Sequence, residues 1–96
     1  MAHLYKLTEW QDGVGNWHCG DVEDLAHDSN YWYNACRLYD LTPVDYVKML
    51  LSTFNVTKIS YNLEKDVLLF SWKSQTDMRK FKNQTNALAR KKNFMV

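Results

Sequence analysis

Apolar and polar positions follow three different rhythms along this chain, and each rhythm predicts an element. Residues 4–10, L-Y-K-L-T-E-W, are rich in strand formers and are closed by Q-D-G-V-G-N, where Asp12-Gly13 and Gly15-Asn16 supply turn chemistry. A first strand is expected there, with a hairpin return over 17–19. From Asp21 the spacing changes. Val22, Leu25, Ser29, Trp32, Cys36 and Tyr39 recur at steps of three and four, the stripe of a helix over about 21–39. Asp21 and Glu23 or Asp24 suit its first turn, where carboxylates meet the positive end of the helix dipole. The cluster Asp28-Ser29-Asn30 is cap-like and offers an alternative, in which one short helix stops and another starts.

Thr42 then reads as an N-cap, with Pro43 at the first helical position and Asp45 three residues after the cap. Behind it Val44, Val47, Leu50, Leu51 and Phe54 share one face, predicting an amphipathic helix over 43–54 with that face on the core. After Asn55 the period falls toward two. V-T-K-I-S-Y, a polar corner N-L-E-K-D and V-L-L-F-S-W predict a β-hairpin with strands near 57–62 and 66–72. The second of these strands is apolar on both faces, which suits a central position. Ser74, or Thr76, caps a last helix running to about Lys92. The order β-α-α-β-β-α defines a small α+β domain spanning 1–96, a three-stranded antiparallel sheet packed against helices.

Composition agrees with a packed globule: 46% of the 96 residues are hydrophobic and 15% aromatic, with one Pro and three Gly. A domain of this size buries roughly 60 to 65% of its unfolded surface and folds without staples. The longest purely apolar run, Val67-Leu68-Leu69-Phe70, is far short of the roughly 20 residues that cross a membrane. The N-terminal stretch also lacks a secretory apolar core. A cytoplasmic protein with no membrane association is expected, its Cys19 and Cys36 reduced and Cys36 a small buried hydrophobe.

Net charge is +1, yet residues 73–96 hold seven bases against Asp77 alone, and residues 1–72 hold five bases against ten acids. Such asymmetry bears on partners and steering. The last helix places Met78, Phe81, Thr85, Leu88 and Ala89 on one face. Arg79, Lys82, Asn83, Asn86 and Arg90 fall on the next, with Lys80 and Lys91 on the far flank. Arginine and lysine neutralise phosphates and asparagine reads base edges, so this face suits nucleic acid, an acidic partner, or simply water. An acidic half bearing Asp21, Glu23, Asp24, Asp28, Asp40 and Asp45 would complement the basic helix of a second copy in a homodimer, or imitate phosphates.

Tyr31-Trp32-Tyr33 sweeps 200° of a helix, so three rings cannot enter one core. With Trp32 on the packing stripe, Tyr31 and Tyr33 become rim residues and candidate anchors for a protein partner. His18, Cys19, His27 and Cys36 are zinc-ligand types, but no pair has the spacing of a structural site. On one helix His27 and Cys36 would sit about 13 Å apart on opposite faces, so no metal is assigned and His27 is expected on a helix face. No nucleophile elbow, phosphate loop or metalloprotease motif is present, and Gly13 and Gly15 lack the third glycine of a dinucleotide fingerprint. No catalytic residue and no cofactor are assigned. The expectation is a non-enzymatic protein-interaction module or small inhibitor of the phage or mobile-element kind using Tyr31 and Tyr33. The alternative is a nucleic-acid-binding module using Arg79, Lys82, Asn83, Asn86 and Arg90.

Overall fold

The computed structural model describes residues 6–20 and 26–93. The chain opens with strands β1 (Thr8–Gln11) and β2 (Trp17–Gly20), joined antiparallel in the register Thr8↔Gly20 to Gln11↔Trp17. The turn between them is organised by one carboxylate. Asp12 Oδ1 accepts from the backbone N–H of Val14 at 2.9 Å and of Asn16 at 3.0 Å, while Gly15 takes φ 95°, a conformation that favours glycine.

The third strand and first helix depart from the sequence reading. His27–Asp28 form a two-residue strand, β3, and helix α1 begins only at Ser29, running to Leu38. The helical stripe expected from position 21 therefore does not continue through 27–28, and positions 21–25 lie outside the described residues. Of the two readings of Asp28-Ser29-Asn30, the helix start is correct: Asp28 caps α1 by accepting from Tyr31 N at 2.7 Å. The helix ends in a Schellman turn, in which left-handed Asp40 (φ 56°) donates to Arg37 O and Leu41 N–H donates to Cys36 O at 2.9 Å.

Helix α2 (Pro43–Ser52) starts as its cap signals predict, with Thr42 Oγ1 accepting from Asp45 N at 3.2 Å. Left-handed Asn55 (φ 53°) then turns the chain into the hairpin of β4 (Lys58–Asn62) and β5 (Val67–Ser71), paired Lys58↔Ser71 to Asn62↔Val67. Ser74 accepts from Asp77 N and opens α3, Gln75–Lys91.

The result is a small α+β domain whose three-stranded antiparallel sheet runs β3-β5-β4, with β5 central as its two apolar faces require. The first hairpin forms a separate two-stranded sheet, hooked to the end of β5 by mutual backbone bonds between Trp17 and Trp72 at 2.7 and 2.9 Å. Between that hook and β3, the Phe70 carbonyl is met by His18 Nδ1 at 2.9 Å, and His18 Nε2 lies 2.8 Å from Asp12 Oδ2. The ring thus bridges the end of β5 and the carboxylate that organises the first turn.

The face of β5 bearing Phe70 and Trp72 meets the aromatics of the helices. Phe70 contacts Tyr31 and Trp32 of α1 and Phe81 of α3, while Trp72 packs on Phe81 at 5.4 Å and donates from Nε1 to Phe54 O at 2.9 Å. Tyr46 and Leu50 of α2, with Leu38 and Met78, complete this core. No helix among the described residues is long and apolar enough to cross a membrane.

Candidate protein-docking site

Helix α2 carries more apolar surface than one core can use. Val44, Tyr46, Val47, Met49, Leu50 and Leu51 together span roughly 220° of the helix at 100° per residue. The structure buries Tyr46 and Leu50, and partly Met49, against the aromatic core. That choice rotates the opposite side outward. Val44 is 64% exposed and Leu51 50% exposed, with Val47 half-buried between them. The expectation that Val44, Val47, Leu50, Leu51 and Phe54 form one core face is therefore corrected. The aromatic contacts of Tyr46 with Trp32 (5.2 Å) and Tyr39 (5.6 Å) fix the helix orientation instead. Positions 44, 47 and 51 lie within about 60° of arc, so the exposed apolar residues form one stripe.

A cleft lies at the start of α2, where Pro43, the residue before Val44, forms part of its lining. Trp32, Tyr33, Cys36 and Arg37 of α1, with Leu41 and Pro43, enclose about 240 Å³. The Schellman turn explains this wall, because its 6→1 bond brings Leu41 back over Cys36. Tyr33 is 70% exposed at the rim. Arg37 is exposed and has no carboxylate within ion-pair distance among the described residues. The volume lies below the roughly 300 Å³ at which small-molecule sites begin and is the scale of one large side chain. Burial pushes the Cys36 thiol pKa up, which disfavours the thiolate.

Of the two proposed tyrosine anchors, Tyr33 faces solvent and Tyr31 does not. Tyr31 is only 4% exposed, its ring stacked on His27 at 3.8 Å and set edge-on to Phe70. Because α1 starts at Ser29, its first turn is pressed onto the sheet and Tyr31 enters the core, so it is removed from the contact surface.

The basic face of α3 is also rearranged. Glu9 of β1 gathers Arg79 Nη2 at 2.8 Å, Lys82 Nζ at 2.7 Å and Gln75 Nε2 at 3.2 Å. These bonds, Arg79 first and Lys82 second, hold the Glu9 pKa down at about 2. Asn86 is buried, and its Oδ1 accepts from Leu7 N at 3.0 Å, so it belongs to the packing face with Met78, Phe81, Thr85 and Ala89. Lys92 is tied to Asp40 Oδ2 at 3.0 Å and to Leu38 O at 2.8 Å. Asn83, Arg90, Lys80 and Lys91 remain exposed. Of the seven bases after position 72, three (Arg79, Lys82 and Lys92) are thus paired within the fold.

His27 was expected on a helix face and is instead a fully buried strand residue. Burial, weakly opposed by the nearby Cys19 backbone, pushes its pKa down to about 3. Neither ring nitrogen has a hydrogen-bond partner among the described residues, nor do the Tyr31 and Tyr46 hydroxyls. Among the described residues no group of three or more His, Cys, Asp or Glu is placed to hold a metal ion. Sequence reasoning missed Val44, Leu51, Arg37, Leu41 and Pro43 as surface residues. The signal was the excess apolar arc of α2 once Tyr46 and Met49 are counted. Compared with known protein families, curated proteins and solved structures, the chain matches none.

Proposed function

We propose that this protein is a binding module that docks a protein partner on the α1–α2 face. The partner would insert a large apolar side chain between Tyr33 and Leu41, lay further apolar surface along Val44, Val47 and Leu51, and offer a carboxylate to Arg37. The observation that carries this reading is the exposed stripe on α2 lying beside a side-chain-sized cleft. Exposed apolar surface of this kind, rimmed by tyrosine and arginine, is typical of protein contact sites. A small inhibitor of the phage or mobile-element kind is one form this would take, since occupying a partner's surface needs no chemistry. A nucleic-acid interface has less support. Arg79 and Lys82 are engaged by Glu9 and Asn86 by Leu7, leaving Asn83 and Arg90 of the five side chains first considered.

The test is to isolate a partner with the intact protein and measure its affinity for wild type, Tyr33→Ala and Leu51→Lys by calorimetry. Both replaced residues are exposed, so folding is retained. Each change is expected to weaken binding at least about tenfold, or about 1.4 kcal/mol. Unchanged affinity in both variants refutes the reading. Salt-sensitive binding of labelled duplex or single strands, lost in Arg90→Ala and kept in Tyr33→Ala, would transfer the function to α3.

A further inference from the structure

Strand β4 forms one border of the three-stranded sheet, and among the described residues its strand partner is β5 alone. Sheet borders are normally protected by charges, proline or a bulge, because their unpaired N–H and C=O groups invite another strand. Ile59-Ser60-Tyr61-Asn62-Leu63 contains neither a charge nor a proline. Tyr61 is 51% exposed on the strand, and Leu63, in the turn that follows, is 82% exposed. Beyond Lys58 at its start, the strand carries none of these protections.

The side-chain order says what fits it. Lys58-Ile59-Ser60-Tyr61-Asn62 alternates polar and apolar positions, so a reversed copy can set apolar against apolar and polar against polar. In an antiparallel pair of copies related by a two-fold axis at Ser60, all five residues of β4 are matched. Lys58 faces Asn62, Ile59 faces Tyr61 and Ser60 faces itself. No like charges are opposed. Ile59 and Tyr61 project from the same side of the sheet as their β5 partners Phe70 and Leu68. Two equivalent Ile59–Tyr61 pairs would therefore close over the border of the helical layer. Moving the axis to Tyr61 shortens the ladder, since Leu63 and Glu64 belong to the turn.

We propose that β4 is a self-pairing surface, through which two copies join into one continuous six-stranded antiparallel sheet. The proposal stands apart from the α1–α2 docking face and does not require it. It also does not use the acidic and basic halves of the sequence.

An interface built mainly from two five-residue strands is smaller than the roughly 1,600 Å² of a standard complex, so a weak dimer dissociating at tens of micromolar is expected. Sedimentation equilibrium of the full chain over roughly 10 to 500 µM reads this directly. Wild type is expected to pass from monomer to dimer across that range, Tyr61→Lys to stay monomeric, and Tyr33→Ala and Leu51→Lys to dimerise as wild type does. A second variant fixes the register. Ser60→Cys places two thiols opposite each other across the axis and is expected to give a covalent dimer on mild oxidation, while Asn62→Cys, facing Lys58, gives little. A wild-type protein that stays monomeric throughout overturns the proposal. So does a dimer that survives Tyr61→Lys or is abolished by Leu51→Lys, and so does equal cross-linking at positions 60 and 62.

Discussion

Acidification isolates one residue, His27, because of where it sits. Its ring lies between Tyr31 at 3.8 Å and Phe70 at 4.6 Å, is fully buried, and neither nitrogen makes a hydrogen bond among the described residues, although the Cys19 backbone lies nearby. In the unfolded chain the ring takes up a proton below its ordinary value of 6.5, whereas in the folded protein burial holds it neutral to about 3. Between those two values the unfolded state binds more protons, so stability falls as pH falls, by about 1.4 kcal/mol for each pH unit. Glu9 and Asp12 act in a lower window. Their folded values near 2 lie below ordinary values of 4.5 and 3.8, so their stabilisation is complete above those values and is lost only as pH falls from them toward 2. From pH 6.5 to 4.5 the loss assigned to His27 is therefore on the order of 3 kcal/mol, a large part of the stability of a domain this size. Urea denaturation at several pH values reads the slope, and ring carbon shifts in NMR read the His27 titration itself. His27→Phe fills the same slot with a ring that accepts no proton, and is expected to remove the His27 part of that slope. A His27 ring that titrates near 6.5, or a slope unchanged in the Phe variant, refutes the reasoning.

Asn86→Ala removes the acceptor for the buried Leu7 N–H and is expected to cost about 1 to 3 kcal/mol in urea denaturation, while leaving any salt-dependent nucleic-acid affinity unaltered. Asp28→Ala deletes the α1 cap, with an expected loss of about 1 kcal/mol; a change of less than a few tenths would mean that β3 alone positions the helix. Leu51→Lys is expected to stay within about 0.5 kcal/mol of wild-type stability, because half of the side chain already meets water; a loss beyond about 2 kcal/mol would place Leu51 in the core.

Local signals carried the elements whose boundaries are set by neighbouring residues. Thr42-Pro43 opened α2, Ser74 opened α3, and the period-two run after Asn55 gave the β4–β5 hairpin within a residue or so. The misreadings lie where distant residues decide. Strand β3 exists because His27 and Asp28 pair with Leu68 and Val67, about forty residues away, and two residues carry no period of their own. Asn86 looked like a surface amide because its partner, Leu7, is 79 positions distant. For the same reason Arg79 and Lys82 read as bare cations although Glu9 holds both. In the docking face, the exposure of one ring of the aromatic triplet was legible from helix geometry alone. Which ring it was depended on the sheet beneath α1, and the outward turn of Val44 and Leu51 on the aromatic nest around Tyr46.

The Glu9 and Asn86 ties also govern the order in which the chain assembles. The first hairpin is fastened to the rest by Leu7–Asn86, Glu9–Arg79 and Trp17–Trp72, each joining residues far apart in sequence. The β4–β5 hairpin and α3 are contiguous, so they close with little loop entropy, whereas docking the first hairpin must wait for α3. The first hairpin is thus among the last parts to find its seat, and until α3 is synthesised Leu7 and Cys19, buried in the finished fold, stand uncovered, where a chaperone would meet them first.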